Sequence, residues 1–278
     1  MPVPGGKGLI VARAAHALGA AVHATGILAG HAGRWLEEAF AAEGVPATFA
    51  WAQGETRASV ADEGTHGLTE FYERGDDIGP DGWSLLEDVV RGLVPHASWM
   101  TMSGNLPPGA PHDGYARLID LAHGAGVRTA LDAREAALEH GVGARPNLVK
   151  VNVEEAGWLL GTTLETEPAC RAAALEIRER LDDDGVAVVT RGAEGAVVAM
   201  ADGSVLSGRL YAEGRYPVGS GDAFLAGLVA SLDRGDRWEA GVALALGAAT
   251  ANAELPGAGR LDPLRAAARA EVAEVRMT

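Results

Sequence analysis

Cysteine, lysine and long hydrophobic runs are scarce in this sequence, and each shortage excludes a class of protein. The single cysteine, Cys170, excludes an internal disulfide bond, so a reducing cytoplasm is the expected compartment. The longest run of small apolar residues, around 242–251, is too short to span a bilayer, and the sequence opens with no signal-peptide pattern. We therefore expect a soluble, cytoplasmic protein that does not enter a membrane.

Positive charge is also scarce. The chain has 23 lysine and arginine residues against 38 aspartate and glutamate residues, which gives a formal net charge of -15. This balance argues against nucleic acid or an anionic membrane as the main partner, and an anionic substrate would need a local positive pocket. The only lysines are Lys7 and Lys150. In a chain that otherwise uses arginine, a retained lysine indicates a need for a compact point charge, although chance would explain it too.

The length and the hydrophobic pattern predict one large α/β domain. With 278 residues, of which 47% are hydrophobic, the chain can bury a sizeable core. Alternating strand and helix patterns predict a mostly parallel sheet with helices on both faces, which binds ligands at the carboxyl ends of its strands. The main predicted elements are helix 82–93, strand 97–103, helix 112–124, strand 127–132, strand 147–152, helix 153–160, helix 168–181, strand 186–191, a hairpin at 195–210 and three closing helices.

Residues 46–75 interrupt this alternation, because their hydrophobic pattern has a period of about two. Three candidate strands, ATFAWAQ, TRASVADE and HGLTEFYE, predict a small antiparallel sheet. We therefore assign residues 1–45 and 76–278 to an α/β core and residues 46–75 to an inserted β-lid. Such a lid could cover a site or supply a subunit contact.

A glycine-rich turn, VGSGD at 218–222, precedes an apolar, alanine-rich helix. Gly219 and Gly221 permit backbone angles that other residues avoid, and the N–H groups at a helix start bind anions such as phosphate. Asp222, in the first helical turn, would then lie beside a bound phosphoryl group, where a carboxylate can act as the base for a hydroxyl. The alternative is that Ser220 or Asp222 simply caps the helix.

Six short motifs occur in order along the chain: GGKG at 5–8, GETR at 54–57, SGNLPPG at 103–109, Asn152 with Glu155, TRGAEG at 190–195 and VGSGD. As an ordered set they resemble the motifs of the PfkB (ribokinase-like) carbohydrate kinases, and most of all their 1-phosphofructokinase and tagatose-6-phosphate kinase branch. The resemblance covers essentially the whole chain. It implies a ribokinase-like central, mostly parallel sheet with helices on both faces, plus a small β-sheet lid.

The resemblance also implies an activity, namely phosphoryl transfer from ATP, with Mg²⁺, to a hydroxymethyl group of a sugar or sugar phosphate. Candidate acceptors are fructose 6-phosphate, fructose 1-phosphate and tagatose 6-phosphate. Asp222 is similar to the family's catalytic base, and Gly219, Ser220 and Gly221 are similar to its anion hole. Glu155 is similar to a residue that holds Mg²⁺ through water. A homodimer formed through the lid would also fit the family.

The remaining candidate residues are divided by the resemblance between the two substrates. On the sugar side they are Gly5, Gly6, Lys7, Gly8, Arg57 and Ser103. On the nucleotide side they are Lys150, Asn152, Thr190, Gly192, Gly195 and Asn252. Simpler alternatives stay open for several of them: Asn152 and Glu155 fit an ordinary helix cap, Arg57 a solvated strand position and Ser103 the start of a turn.

Some positions depart from the family pattern. The family's first strand, with its substrate-binding aspartate, has no counterpart in the sequence, and Ile10 replaces an asparagine that follows the glycine turn. In the lid, Ser59, Ala61 and Tyr72 replace two asparagines and a basic residue. These departures motivate a second hypothesis, a catalytically impaired paralogue that binds sugar or nucleotide without turnover. A third hypothesis, a dinucleotide-binding oxidoreductase, lacks the expected GxGxxG motif after a predicted strand.

Overall fold

The computed structural model describes residues 2–64, 67–212 and 214–278, without the side chains of residues 61–70 and 72. The predicted lid turn at 65–66 and the side chains of Ala61 and Tyr72 therefore lie outside the described part. The helices of the described part are α1 (Lys7–Ala17), α2 (Gly30–Ala42), α3 (Gly79–Leu93), α4 (Gly114–Gly124), α5 (Glu135–Gly143), α6 (Val153–Leu160), α7 (Glu167–Arg178), α8 (Ser220–Asp233), α9 (Trp238–Ala253) and α10 (Pro263–Glu271). The strands are β1 (Ile27–Leu28), β2 (Ala50–Trp51), β3 (Ser59–Gly64), β4 (Gly67–Tyr72), β5 (Trp99–Ser103), β6 (Arg128–Asp132), β7 (Leu148–Asn152), β8 (Val186–Thr190), β9 (Ala196–Ala199), β10 (Val205–Arg209) and β11 (Glu274–Met277).

The main sheet has seven strands in the order β11-β10-β9-β8-β7-β6-β5. Strands β5 to β8 run parallel, and Ser103 pairs opposite Asp132 while Asn152 pairs opposite Thr190. Strands β9, β10 and β11 extend the sheet in antiparallel pairs on the far side of β8. The predicted α/β fold class and the predicted hairpin of β9 and β10 are confirmed. The carboxyl ends of β5 to β8 lie along one edge of the sheet, as the sequence predicts for the site.

Two predicted details are wrong. The first of the three predicted lid strands, β2, pairs in parallel with β1 in a separate two-stranded sheet, and only β3 and β4 form the antiparallel sheet of the predicted lid. After the three closing helices, β11 returns to the sheet edge and pairs with β10. An alternating pattern indicates a strand without identifying its partner, and the four residues of β11 are too few to show a clear period.

Two hydrophobic layers enclose the main sheet. Leu131 and Val149 pack against α3 to α7 on one face, and their neighbours Ala130 and Leu148 pack against α1, α8, α9 and α10 on the other. Helix α8 is buried almost throughout its length because it lies between the sheet, α1 and α9. Among the helices of the described part, none is both long enough and apolar enough to cross a membrane.

The alternation of side chains places two charged residues beneath the start of α8. Asp132 and Lys150 follow Ala130 and Leu148 by two positions and therefore share their face of the sheet. Both are buried. A Cβ atom at Gly221 would lie 3.2 Å from Lys150 Nζ, so the strand ends and the glycine turn of α8 meet at this point.

Candidate active site

Helix α8 begins at the predicted glycine turn without a side-chain cap from any described residue. Gly219 precedes the helix with a φ of 82°, in the left-handed region that favours glycine, and a Cβ atom there would lie 2.8 Å from Ala258 Cβ. The N–H groups of Gly221 and Asp222 have no backbone acceptor within the described residues. Neither Ser220 nor Asp222 caps the helix, and the turn presents free donors to an anion.

A buried carboxylate organises the centre of the site. One oxygen of Asp132 accepts from Lys7 Nζ at 3.0 Å, and the other accepts from Lys150 Nζ at 2.6 Å. Lys7 also lies 3.5 Å from Glu155 Oε1. Because Asp132 ends β6 and Lys150 lies in the adjacent β7, this cluster is fixed to the rigid edge of the sheet. The only two lysines of the chain therefore bind the same carboxylate.

The charges of the cluster set the pKa values of its members. Burial, together with the nearby charge of Asp132, raises the pKa of Asp222 to about 7. Although burial opposes its ionisation, Lys150 and Lys7 hold the pKa of Asp132 below its ordinary value. Burial likewise opposes the charge of Lys7, but Asp132, Glu155 and Asp222 raise its pKa. The two lysines thus favour the ionised form of Asp132, whereas the pKa of Asp222 lies near neutral pH.

Asn152 and Glu155 form a capping box at the start of α6. Asn152 Oδ1 accepts from the N–H of Glu155 at 2.8 Å, and Glu155 Oε2 accepts from the N–H of Asn152 at 2.8 Å. Asn152 and Glu155 therefore form the ordinary helix cap that the sequence left open as an alternative. The other oxygen of Glu155 still faces Lys7, so the cap also fixes the carboxylate at the rim of the charged cluster.

On the sugar side, the GGKG turn lies at the end of β5. The side chain of Lys7 packs over Gly104, and a Cβ atom at Gly8 would lie 3.8 Å from the carbonyl oxygen of Ser103. Ser103 Oγ is buried and has no partner in the structure, which leaves a free hydroxyl in this corner. Gly6 adopts a φ of 99° just before α1 begins.

Two further side chains border this corner. The Tyr115 hydroxyl donates to the carbonyl oxygens of Ser103 and Gly104 at 3.2 and 3.1 Å and so supports the SGNLPPG loop. Arg57, of the GETR motif, is exposed and enters no ion pair with a described residue. It lies at the base of the lid, where Gly75 packs against its stem.

On the nucleotide side, the TRGAEG turn packs closely on β10. Thr190 Oγ1 donates to the carbonyl oxygen of Val151 at 3.3 Å. Gly192 and Gly195 both have positive φ, and a Cβ atom at Gly195 would lie 2.0 Å from the carbonyl oxygen of Gly208. These two glycines are therefore required by the shape of the turn itself.

Asn252 is fully buried beside the glycine turn that precedes α8. Its Nδ2 donates to the Val218 carbonyl oxygen at 2.9 Å and to Ser220 Oγ at 3.2 Å, while its Oδ1 accepts from the N–H of Gly259 at 2.8 Å. The amide is thus engaged by the protein on both sides. Its expected nucleotide contact stays a prediction, and its observed contacts support the turn before α8.

The structure brings together four of the predicted residues, Lys7, Lys150, Glu155 and Asp222, around a residue that the sequence analysis missed. That residue is Asp132. A signal for it existed: it is an acidic residue at the carboxyl end of predicted strand 127–132, next to predicted strand 147–152, which contains a lysine. Charged residues at adjacent strand ends in an α/β sheet are expected to meet.

Comparisons with known proteins identify the family to which this chain is similar. A family model described as pfkB family carbohydrate kinase matches residues 2–264. The 1-phosphofructokinase of Rhodobacter capsulatus is 33% identical to the chain over 228 residues, which are 81% of this chain and 72% of that protein.

Solved structures share the fold. The tetrameric inhibited form of phosphofructokinase-2 from Escherichia coli superimposes with a TM-score of 0.84 and 26% identity, over 96% of this chain and 88% of that chain. A possible 1-phosphofructokinase from Thermotoga maritima superimposes with a TM-score of 0.86 and 24% identity, over 99% of this chain and 88% of that chain. The second likeness concerns the fold alone.

Proposed function

Because this chain belongs to the pfkB family of carbohydrate kinases, we propose that it transfers the γ-phosphoryl group of ATP to a hydroxymethyl group of a sugar phosphate, with Asp222 as the base. The placement of Asp222 carries the proposal. It is buried in the first turn of α8, beside the free N–H groups of the glycine turn, and its pKa is raised to about 7. A base with a pKa near the working pH is suited to accept a proton from a hydroxyl.

In the proposed reaction, the oxygen of the acceptor's CH₂OH group forms a bond to the γ-phosphorus while the bond from that phosphorus to the leaving oxygen breaks and ADP departs. Asp222 accepts the hydroxyl proton. The N–H groups of Gly221 and Asp222, which have no backbone acceptor among the described residues, would donate to the negative charge that develops on the phosphoryl oxygens. The protein contributes mainly positioning and charge stabilisation, because phosphoryl transfer requires little covalent chemistry from its catalyst.

The charge balance of the centre supports a need for Mg²⁺. Two lysines, Lys7 and Lys150, face three carboxylates, Asp132, Glu155 and ionised Asp222, so the cluster is not positive enough on its own for a nucleoside triphosphate. Glu155 presents a hard carboxylate oxygen at the rim of the cluster, and Mg²⁺ is commonly held by one or two carboxylates and its own water. We propose that Glu155 holds Mg²⁺ through water, where the ion would neutralise the charge of the phosphates.

The acceptor is proposed to be a ketohexose phosphate such as fructose 6-phosphate, fructose 1-phosphate or tagatose 6-phosphate. Two relatives carry the names 1-phosphofructokinase and phosphofructokinase-2. In this chain, the exposed guanidinium of Arg57 at the lid base is free of described ion pairs and suits the bidentate recognition of a phosphate. Lys7 adds a second cation near the sugar corner.

The proposal is tested by ADP release with ATP and Mg²⁺ on these three phosphates and on the free hexoses. We expect turnover on at least one of the sugar phosphates and little on the free sugars. The competing hypothesis, a paralogue that binds without turnover, is favoured by the buried Ile10, whose side chain borders Gly219 and Gly259 and offers no hydrogen bond. ATP binding without ADP release on any acceptor would support that hypothesis instead.

We also propose that two copies of the chain associate through their lids. Val60 and Phe71 pair across the β3-β4 hairpin and are 61% and 63% exposed, so the lid displays an apolar pair that a second copy could cover. Light scattering should then give about twice the mass of 28.5 kDa. A monomer at micromolar concentration, or a dimer that survives Val60→Glu with Phe71→Glu, would exclude this interface.

A further inference from the structure

The segment that joins the core to the lid is held against the start of α2. The N–H of Ala32 donates to Glu55 Oε1 at 2.5 Å, and the N–H of Ala29 donates to Thr56 Oγ1 at 2.8 Å. The N–H of Thr56 donates in turn to the carbonyl oxygen of Ala29 at 3.0 Å. A carboxylate in this place takes up helix N–H groups that would otherwise lack a partner, and the helix dipole favours its charge.

Two glycines of α2 make room for this contact. Gly30 adopts a φ of 62°, and a Cβ atom there would lie 2.1 Å from Glu55 Oε2. At Gly33, a Cβ atom would lie 3.1 Å from Thr56 Oγ1. A side chain at Gly30 would displace the Glu55 carboxylate from this contact, and one at Gly33 would crowd Thr56, so the first turn of α2 and the lid base pack closely.

The backbone on both sides of Arg57 is fixed as well. The N–H of Glu55 donates to Asp76 Oδ2 at 2.9 Å, and the N–H of Ala58 donates to Glu73 Oε2 at 2.8 Å. The stem of Arg57 packs across Gly75, while its guanidinium is exposed. Hydrogen bonds thus hold the backbone around one arginine whose guanidinium pairs with no side chain of the described residues.

From these contacts we infer that Glu55 is a positioning residue, which holds the lid base on α2 so that Arg57 meets the phosphate of the acceptor. This inference rests on the proposed function, because it requires Arg57 to bind that phosphate. An arginine side chain has several rotatable bonds, so fixing its backbone in advance lowers the entropy lost on binding. Glu55 is about half exposed, and the neighbouring His31 imidazole is almost fully exposed. The contact between Glu55 and α2 therefore orients the lid base, and it lies outside the hydrophobic core.

The test compares Glu55→Ala with Glu37→Ala, which removes the same charge from an exposed position of α2. KM is measured for fructose 6-phosphate and fructose 1-phosphate, and Kd for the same compounds by titration calorimetry, so that one readout does not depend on turnover. We expect Glu55→Ala to raise KM and Kd by about fivefold with little change in kcat, which is the scale of losing one helix N-terminal cap. Glu55→Gln, which keeps an acceptor for the N–H groups, should recover part of the loss. Glu37→Ala should behave as the wild type.

Arg57→Ala, alone and combined with Glu55→Ala, separates this inference from the proposed function. If Glu55 acts through Arg57, then Glu55→Ala will have no further effect on KM once Arg57 is gone. An equal rise of KM in the presence and absence of Arg57 would overturn the inference. So would an unchanged KM in Glu55→Ala when Arg57→Ala raises it. An unchanged KM and Kd in Arg57→Ala itself would instead remove the proposed sugar-phosphate role of Arg57, and the inference with it.

Discussion

Lys150 Nζ lies 2.6 Å from Asp132 Oδ2, and both side chains are almost completely buried. Breaking a buried ion pair by removing one partner leaves an uncompensated charge, so each of these residues requires the other. Lys7 binds the second oxygen of the same carboxylate. The pairing keeps Asp132 ionised, and its negative charge in turn raises the pKa of Asp222. Burial is the larger cause of the raised pKa of Asp222, and the charge of Asp132 adds to it, while the two lysines oppose it.

Replacement of the proposed base is the first prediction. Asp222→Asn keeps the size of the side chain but removes its ability to accept a proton, so we expect kcat to fall by at least about a hundredfold. ADP release at saturating ATP and sugar phosphate measures the effect. Unchanged thermal unfolding and ATP binding would show that the turn is intact. Near-normal turnover in this variant would remove Asp222 from the role of base.

The pH dependence of the reaction is the second prediction. Because the pKa of Asp222 is about 7 and the ionised form is the active one, kcat/KM should fall as the pH drops below about 7. Asp132→Asn removes a nearby negative charge and frees the two lysines to face Asp222. Both changes favour the ionised form of Asp222, so the acidic limb of the profile should move to lower pH.

A profile of kcat/KM from pH 5 to 9 for both proteins checks this prediction. Asp132→Asn leaves two lysines with one partner fewer, so it should also unfold at a lower temperature. The position of the limb, and not the absolute rate, is the informative quantity. An acidic limb at the same pH in both proteins would mean that Asp132 does not control the pKa of the base.

The third prediction concerns Asn252, whose amide bonds the Val218 carbonyl oxygen, Ser220 Oγ and the N–H of Gly259. Asn252→Ala should lower the free energy of unfolding by about 1–3 kcal/mol, because these buried groups lose their partner. If Asn252 acts by holding the turn that carries the proposed base, kcat should fall while KM for ATP stays nearly constant. A large rise of KM for ATP with kcat preserved would favour the direct nucleotide contact instead. Thr250→Ala, on the same helix, is the control.

Much of the architecture could be predicted from the sequence. Hydrophobic periods indicate the strands, glycine turns indicate where helices begin, and the order of the motifs indicates the fold. The alternation of Val149 and Val151 with Lys150 already predicts a strand with one charged side chain among apolar neighbours. The partner of that lysine was missed, although an acidic residue at the end of predicted strand 127–132 was a signal for it. Asp132 lies 18 positions earlier, and the two meet only because β6 and β7 are adjacent in the sheet. Strand order is a tertiary property, and a linear pattern does not contain it.

Because a linear pattern does not identify the partner of a strand, the pairing of β2 could not be predicted either. The segment ATFAWAQ shows the alternation of a lid strand, yet Ala50 and Trp51 within it pair with β1 and lie against α3, and a local pattern does not specify either contact. The contact of Glu55 with α2 could not be predicted from the sequence either. Its motif, GETR, draws attention to the arginine, whereas the helix start that receives the glutamate lies more than twenty positions earlier in the chain.

The fourth prediction concerns Glu135, the first residue of α5, which directly follows the loop after Asp132. Glu135 has a φ of 54°, and only one other non-glycine residue of the described chain, Arg145, has a positive φ. A side chain in this left-handed region is strained by contact between its Cβ atom and the backbone, and glycine avoids that strain. Glu135→Gly should therefore raise the free energy of unfolding by about 1 kcal/mol.

Glu139→Gly is the matched control, because Glu139 is an exposed glutamate one turn further along the same helix. There the backbone is helical, so glycine should lower the free energy of unfolding by about 1 kcal/mol. Denaturant unfolding should therefore show a higher free energy of unfolding for Glu135→Gly and a lower one for Glu139→Gly, although both variants replace a glutamate by glycine. If both variants are destabilised, the positive φ of Glu135 carries no strain. If only Glu135→Gly is stabilised and its kcat is unchanged, the chain tolerates this strain beside the site without using it in catalysis.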